Sequence, residues 1–147
     1  MKKRITALGL LWCLSAVMLQ AARVDTVLVR SVAMNKDVKV VYVLPDKAIG
    51  KQACPVVYLL HGYGGNARSW VQLKPELPQM ADEKGIIFVC PDGKNSWYWD
   101  SPENPAYRYE TFVTSELVKY TDGNYATIPD RKARAISGLS MGGHGAL

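Results

Sequence analysis

Two runs near the start of the chain, Val24 to Arg30 and Val38 to Leu44, alternate apolar and polar positions and are rich in β-branched side chains. That period of two predicts half-buried strands, and the intervening Asn35-Lys36-Asp37 predicts an antiparallel hairpin between them. Pro45 ends the second strand. Two later runs, Val56-Val57-Tyr58-Leu59-Leu60 and Ile86 to Val89, are apolar without interruption. Continuous apolar strands are the mark of a sheet covered on both faces, which is usually a parallel one. Pro75 to Lys84 predicts a short helix between them, with Gly85 as its terminator. Tyr109, Phe112, Val113, Leu117 and Tyr120 recur at helical spacing, so Arg108 to Tyr120 is expected to be an amphipathic helix. Glu116 falls on the same stripe, and a structural ion pair with Arg131 or Arg134 is its expected role. Ala133 to Ile136 reads as a third short strand. Strand and helix in alternation after an opening hairpin predict an α/β fold built on a mostly parallel sheet.

The first 22 residues have a different pattern. Lys2, Lys3 and Arg4 are followed by an apolar run from Ile5 to Leu19 and then by the small residues Ala21 and Ala22. This is the layout of a secretory signal peptide, cleaved near Ala22 and leaving residues 23–147, expected to be the N-terminal part of one domain, in the periplasm or outside the cell. The run falls short of the ~20 apolar residues of a spanning helix, so no stable membrane anchor is expected. Cys13 does not read as a lipid-attachment site, because bulky Trp12 precedes it. Loss of the leader takes the 18 basic residues to 15 against 13 acidic ones, so the net charge drops from +5 to +2. What remains is scattered and nowhere interleaved with aromatics on one face, which argues against a nucleic-acid partner.

Export would also place Cys54 and Cys90 in an oxidising compartment. Cys54 precedes one parallel strand and Cys90 ends another, so even on neighbouring strands they lie roughly 15 Å apart at ~3.3 Å per residue. A disulfide needs Cα atoms within about 7 Å. Two free, buried thiols without a catalytic duty are expected. At 147 residues and 48% hydrophobic composition, the chain has the make-up of an ordinary globular domain and not of a disordered tail or a fibrous repeat.

The chemistry is concentrated in two glycine-rich segments. Gly138-Leu139-Ser140-Met141-Gly142 fits G-x-S-x-G directly after a predicted strand, with Gly143 and small residues behind it. A serine on a sharp strand-to-helix turn needs glycine two residues to either side, where side chains would collide. Such a turn exposes Ser140 Oγ at the carboxyl edge of the sheet and aims the first N–H groups of the following helix at the same point. His61-Gly62-Tyr63-Gly64-Gly65 follows a buried strand, where a backbone N–H can approach a substrate carbonyl and hold the charge that forms on its oxygen.

These two segments, together with Pro91-Asp92-Gly93, Asn95-Ser96-Trp97-Tyr98 and the helix bearing Glu116-Leu117, resemble the esterase D-like branch of the α/β-hydrolases. That branch holds tributyrin-type esterases, feruloyl and acetyl xylan esterases, S-formylglutathione hydrolases and mycolyltransferases. The resemblance runs from about Val24 to the end and implies an α/β-hydrolase fold. It makes Ser140 the nucleophile and the N–H groups of Tyr63 and Met141 the oxyanion hole, with His61 shaping the loop and His144 pointing away from the serine. In this branch the acid and the histidine follow the serine in the chain, and only Met141 to Leu147 follow it here. The chain is therefore expected to be the N-terminal part of a longer hydrolase, truncated ahead of its base and inactive by itself.

Trp97, Tyr98, Trp99, Tyr107 and Tyr109 place five of the 14 aromatic residues within 13 positions, on a loop at the carboxyl end of the sheet. Trp97, Tyr98 and Trp99 are the expected substrate-binding wall, suited to a sugar ring or an aromatic acyl group. The expected substrate is a small-molecule or carbohydrate ester, such as an acetyl or feruloyl ester, with no metal or organic cofactor. An acyltransferase using the same serine, or a non-catalytic binding protein on the same scaffold, are the alternatives.

Overall fold

The computed structural model describes residues 22–147, so the leader read over residues 1–22 lies, all but its last residue, outside the described residues. The elements in chain order are β1 (Arg23–Ser31), β2 (Lys36–Leu44), the single turn α1 (Asp46–Ile49), β3 (Val56–Leu60), α2 (Ser69–Leu73), α3 (Leu77–Lys84) and β4 (Ile87–Pro91). Then come α4 (Tyr109–Thr111), a π-turn (Phe112–Glu116), α5 (Leu117–Asn124), β5 (Arg134–Gly138) and α6 (Met141–Gly145). The strands form one sheet in the order β1-β2-β4-β3-β5. β1, β2 and β4 pair antiparallel, while β4, β3 and β5 run parallel. This is the fold class expected from the hydrophobic pattern.

The sheet has helices on both faces. Val40, Tyr42, Val56, Tyr58, Leu60, Ile87 and Val89 pack with Tyr109, Phe112, Val113 and Leu117 of the long helical segment. Val41, Val43, Leu59, Phe88 and Cys90 face the other way, onto Ala67, Leu77 and Ala81. Residues of β3 and β4 thus meet a helix whichever side they point to, which is why those strands lack polar alternation. Gly85 ends α3 in the left-handed region at φ 64, a C-cap that glycine adopts without a Cβ penalty. Cys54 and Cys90 are both buried and free, on opposite faces of the sheet, and burial pushes the Cys90 thiol up to about 12.

Two expectations need correction. The helix predicted over Arg108 to Tyr120 is interrupted by the π-turn, so its buried stripe continues from Val113 to Leu117 and on to Thr121. Glu116 pairs with neither Arg131 nor Arg134. Its carboxylate reaches back to the hairpin turn, accepting from Ser31 Oγ at 2.6 Å and from the N–H groups of Val32 and Ala33 at 2.8 Å each. The hairpin turn thus offers that carboxylate three donors within hydrogen-bond range. Arg134 pairs with Asp122 instead. Among the described residues no helix is long and apolar enough to cross a membrane.

Candidate active site

The pairing of β3 with β5 places Leu60 opposite Gly138, so the two glycine-rich segments leave the sheet side by side. Leu139 N–H donates to Leu60 O at 3.2 Å and continues the pairing into the turn. Ser140 follows at φ 53 and ψ −115, outside the ordinary regions for a residue with a side chain, and α6 starts directly after it. The flanking glycines are required sterically. A Cβ on Gly138 would lie 2.1 Å from the Gly142 carbonyl, and one on Gly142 would lie 2.2 Å from Leu60 O. Ser140 is exposed at the sheet edge, whereas Met141 is buried.

The loop after β3 lies against this turn. A Cβ on Gly62 would sit 3.3 Å from Leu139 O, a tight contact, and 3.6 Å from Ser140 Cβ, so glycine eases the close approach of the backbone that leads into Tyr63. Tyr63 itself is 65% exposed. Among the described residues the N–H groups of Tyr63 and Met141 have no hydrogen-bond partner, while Gly64, Gly65 and Gly142 N–H are all engaged.

Neither histidine is placed to take a proton from Ser140. His61 is 1% exposed; its Nδ1 lies 2.7 Å from Gly62 O and its Nε2 accepts from Gly93 N–H at 3.0 Å. His144 projects from α6 and sets its ring edge-on to Trp97, with centroids 5.5 Å apart. No group of three or more His, Cys, Asp or Glu among the described residues could hold a metal ion.

The aromatic loop divides. Trp97 and Trp99 are about half exposed and border an open cleft of about 490 Å³ with Glu110, Ile136 and His144. Tyr98, expected beside them on the substrate wall, is only 4% exposed and forms part of the floor. Its ring fills the space above Gly93 and Gly145, where a Cβ would come within 2.2 Å and 2.8 Å of it. Its hydroxyl accepts from His61 N–H at 3.0 Å and donates to His61 O at 3.3 Å. Trp97 and Tyr98 both have positive φ, 57 and 56, and that sharp local path turns the central ring inward. Tyr107 is partly exposed and Tyr109 buried; both rings lie under the Lys36 ammonium, at 5.0 and 4.8 Å.

Sequence reasoning gave no role to Asp92 or Asn95. Asn95 Oδ1 accepts Gly64 N–H at 2.8 Å. Burial alone would raise the Asp92 carboxyl, but hydrogen bonds from the Lys94 ammonium and N–H outweigh it and hold the group well below the usual carboxylate range. The only signal for either residue was the Pro91-Asp92-Gly93 and Asn95-to-Tyr98 string, which carries no chemistry until the fold sets it beside residues 61–65.

A strained serine between a parallel strand and a helix, with a glycine-rich loop against it, defines a chain of the α/β-hydrolase fold. The chain belongs to the Putative esterase family, whose model matches residues 31–147. It is 30% identical over 122 residues to an acetyl esterase of Caldicellulosiruptor saccharolyticus, covering 78% of this chain and 45% of that protein. Among solved structures it resembles an S-formylglutathione hydrolase from Agrobacterium tumefaciens at 28% identity and TM-score 0.75, covering 87% of this chain and 54% of the other. It also resembles a ferulic acid esterase at 31% identity and TM-score 0.73, covering 85% and 53%. The chain thus spans about half the length of the relatives it matches.

Proposed function

We propose that this chain forms the nucleophile-bearing part of an exported serine carboxylic ester hydrolase. Ser140 Oγ attacks the ester carbonyl, and the N–H groups of Tyr63 and Met141 receive the charge on its oxygen. The alcohol leaves to give an acyl-enzyme on Ser140, and water then releases the acid. The observation that carries this reading is the left-handed Ser140 at the head of α6 beside two N–H groups that have no partner among the described residues. With His61 locked and His144 turned to Trp97, the general base and its acidic partner come from sequence outside these residues. The coverage of the relatives supports that division, and the 147 residues alone are expected to be inactive.

The substrate is a small ester, and acetyl or feruloyl esters of carbohydrates are the favoured class. Half-exposed Trp97 and Trp99 beside the cleft support it through stacking on a sugar or aromatic acyl group. Residues 1–22 support export to the periplasm or beyond. The test is hydrolysis of p-nitrophenyl acetate by the full-length protein. Ser140→Ala is expected to lower kcat by roughly 10³-fold or more. An undiminished rate in that variant removes the serine from the mechanism. Faster formation of a new ester than of free acid, with a sugar acceptor present, makes the protein an acyltransferase.

A further inference from the structure

The loop from Asp92 to Tyr98 reaches across to residues 61–65 at three points. Gly93 N–H meets His61 Nε2, Asn95 Oδ1 meets Gly64 N–H, and the Tyr98 hydroxyl meets both backbone groups of His61. These contacts fix the protonation pattern of the His61 ring. A backbone N–H can only donate, so Nε2 is the bare, accepting nitrogen. Nδ1 then carries the proton and donates it to Gly62 O at 2.7 Å. Asp92 Oδ1 lies 3.6 Å from Nε2, beyond hydrogen-bond range, and is occupied by Lys94.

The carbonyl that His61 grips belongs to the peptide unit that carries Tyr63 N–H. A trans peptide is planar, and its C=O and N–H point in opposite directions. Holding Gly62 O therefore fixes the direction of Tyr63 N–H. Gly65 N–H grips the same oxygen at 3.0 Å, so the plane is held by two donors. Glycine at 62 leaves this peptide little steric restraint of its own, so its orientation depends on those donors.

We propose that His61 is a positioning residue for ester hydrolysis: as the Nδ1–H tautomer, anchored by the loop of residues 92–98, it aims the Tyr63 N–H at the oxyanion by holding the Gly62 carbonyl. The role rests on the proposed function and adds what the ring does there. It explains why the histidine is buried with both nitrogens engaged, a placement that excludes direct proton transfer with Ser140.

The test uses the full-length protein and two variants that separate the two ring nitrogens. His61→Asn keeps an amide donor near the position of Nδ1 and loses the acceptor for Gly93. His61→Gln keeps reach toward Gly93 and loses the donor to Gly62 O. His61→Gln is expected to lower kcat about 10- to 100-fold on p-nitrophenyl acetate with KM within about twofold, because the loss falls on charge developed in the transition state. His61→Asn is expected to restore most of that rate. A kcat in His61→Gln equal to that of the parent, or equal losses in both variants that follow the folded fraction by circular dichroism, overturns the aiming role. Long-range ¹⁵N spectra of the imidazole supply a readout that needs no activity. They are expected to show Nδ1 protonated and Nε2 bare, and the opposite tautomer overturns the proposal. An inactive parent, or a Ser140→Ala variant of full rate, overturns the proposed function itself, and the imidazole signals then decide the His61 contact alone.

Discussion

The turn carrying Ser140 and the loop carrying Tyr63 lie against each other, yet they keep their shapes by different means. The serine turn is shaped by main chain on main chain. Gly138 meets Gly142, Gly142 meets Leu60 O, and Leu139 N–H continues the β3–β5 pairing. The Tyr63 loop is shaped chiefly by side chains, namely its own His61 ring and, from the loop of residues 92–98, the Asn95 amide and the Tyr98 hydroxyl, with one main-chain bond from Gly65 N–H to Gly62 O beside them. Main-chain contact tolerates no added atom. Side-chain bracing can be weakened one bond at a time. The difference teaches that glycine-rich segments on one sheet edge need not share a source of rigidity, and they should fail differently under substitution.

The largest effect is expected at Gly142. Its added Cβ would meet Leu60 O at 2.2 Å, and a strand carbonyl cannot move aside without breaking the sheet. Gly142→Ala should cost about 3 kcal/mol or more, read as a fall in the urea midpoint at constant slope. Gly123→Ala in α5, where a Cβ meets nothing within 4 Å, should change stability by less than about 1 kcal/mol. Equal effects at the two positions would break the claim that main-chain crowding sets the serine turn.

Glu116 tests side-chain bracing far from the site. Glu116→Ala leaves buried Ser31 Oγ without its acceptor and hands two exposed N–H groups of the hairpin turn to water, and should cost about 1 to 3 kcal/mol by denaturation. Amide exchange should speed up at Val32 and Ala33 before it does in β3. A turn that keeps its protection would show that the hairpin holds its shape without the carboxylate.

The smallest effect concerns Asp92, which braces the 92–98 loop through Lys94. Its carboxyl is depressed in the folded chain, so its contribution is complete above the unfolded value near pH 4 and is lost as pH falls toward the folded value. Asp92→Asn should therefore be less stable than the parent at pH 7 by a margin that narrows below about pH 4. A margin that stays constant down to pH 2 would remove the charge from the bracing.

The same contrast decides what was legible in the sequence. The strands, the Gly85 stop and the serine turn were readable because periodicity and glycine placement encode them locally. Val56 to Leu60 agrees with the prediction at both ends, and the buried, free state of Cys54 and Cys90 followed from strand register alone. Glu116, Asn95 and the inward-facing Tyr98 were not readable, because each meaning depends on a partner more than 30 residues away. Composition placed Tyr98 with Trp97 and Trp99 as an aromatic wall, and the two left-handed residues in succession separated them. The π-turn escaped because one added residue leaves most of a helical stripe intact.

The pairing of β3 with β5 joins Val56 to Arg134, close to 80 residues later in the chain. Every brace of the Tyr63 loop, by contrast, lies between His61 and Tyr98. Closing a long loop costs more entropy than closing a short one, and distant pairings are the slow ones. As the chain emerges from synthesis, the braces of the Tyr63 loop are therefore complete before β5 is made, and the turn carrying Ser140 and Met141 docks against a loop already shaped.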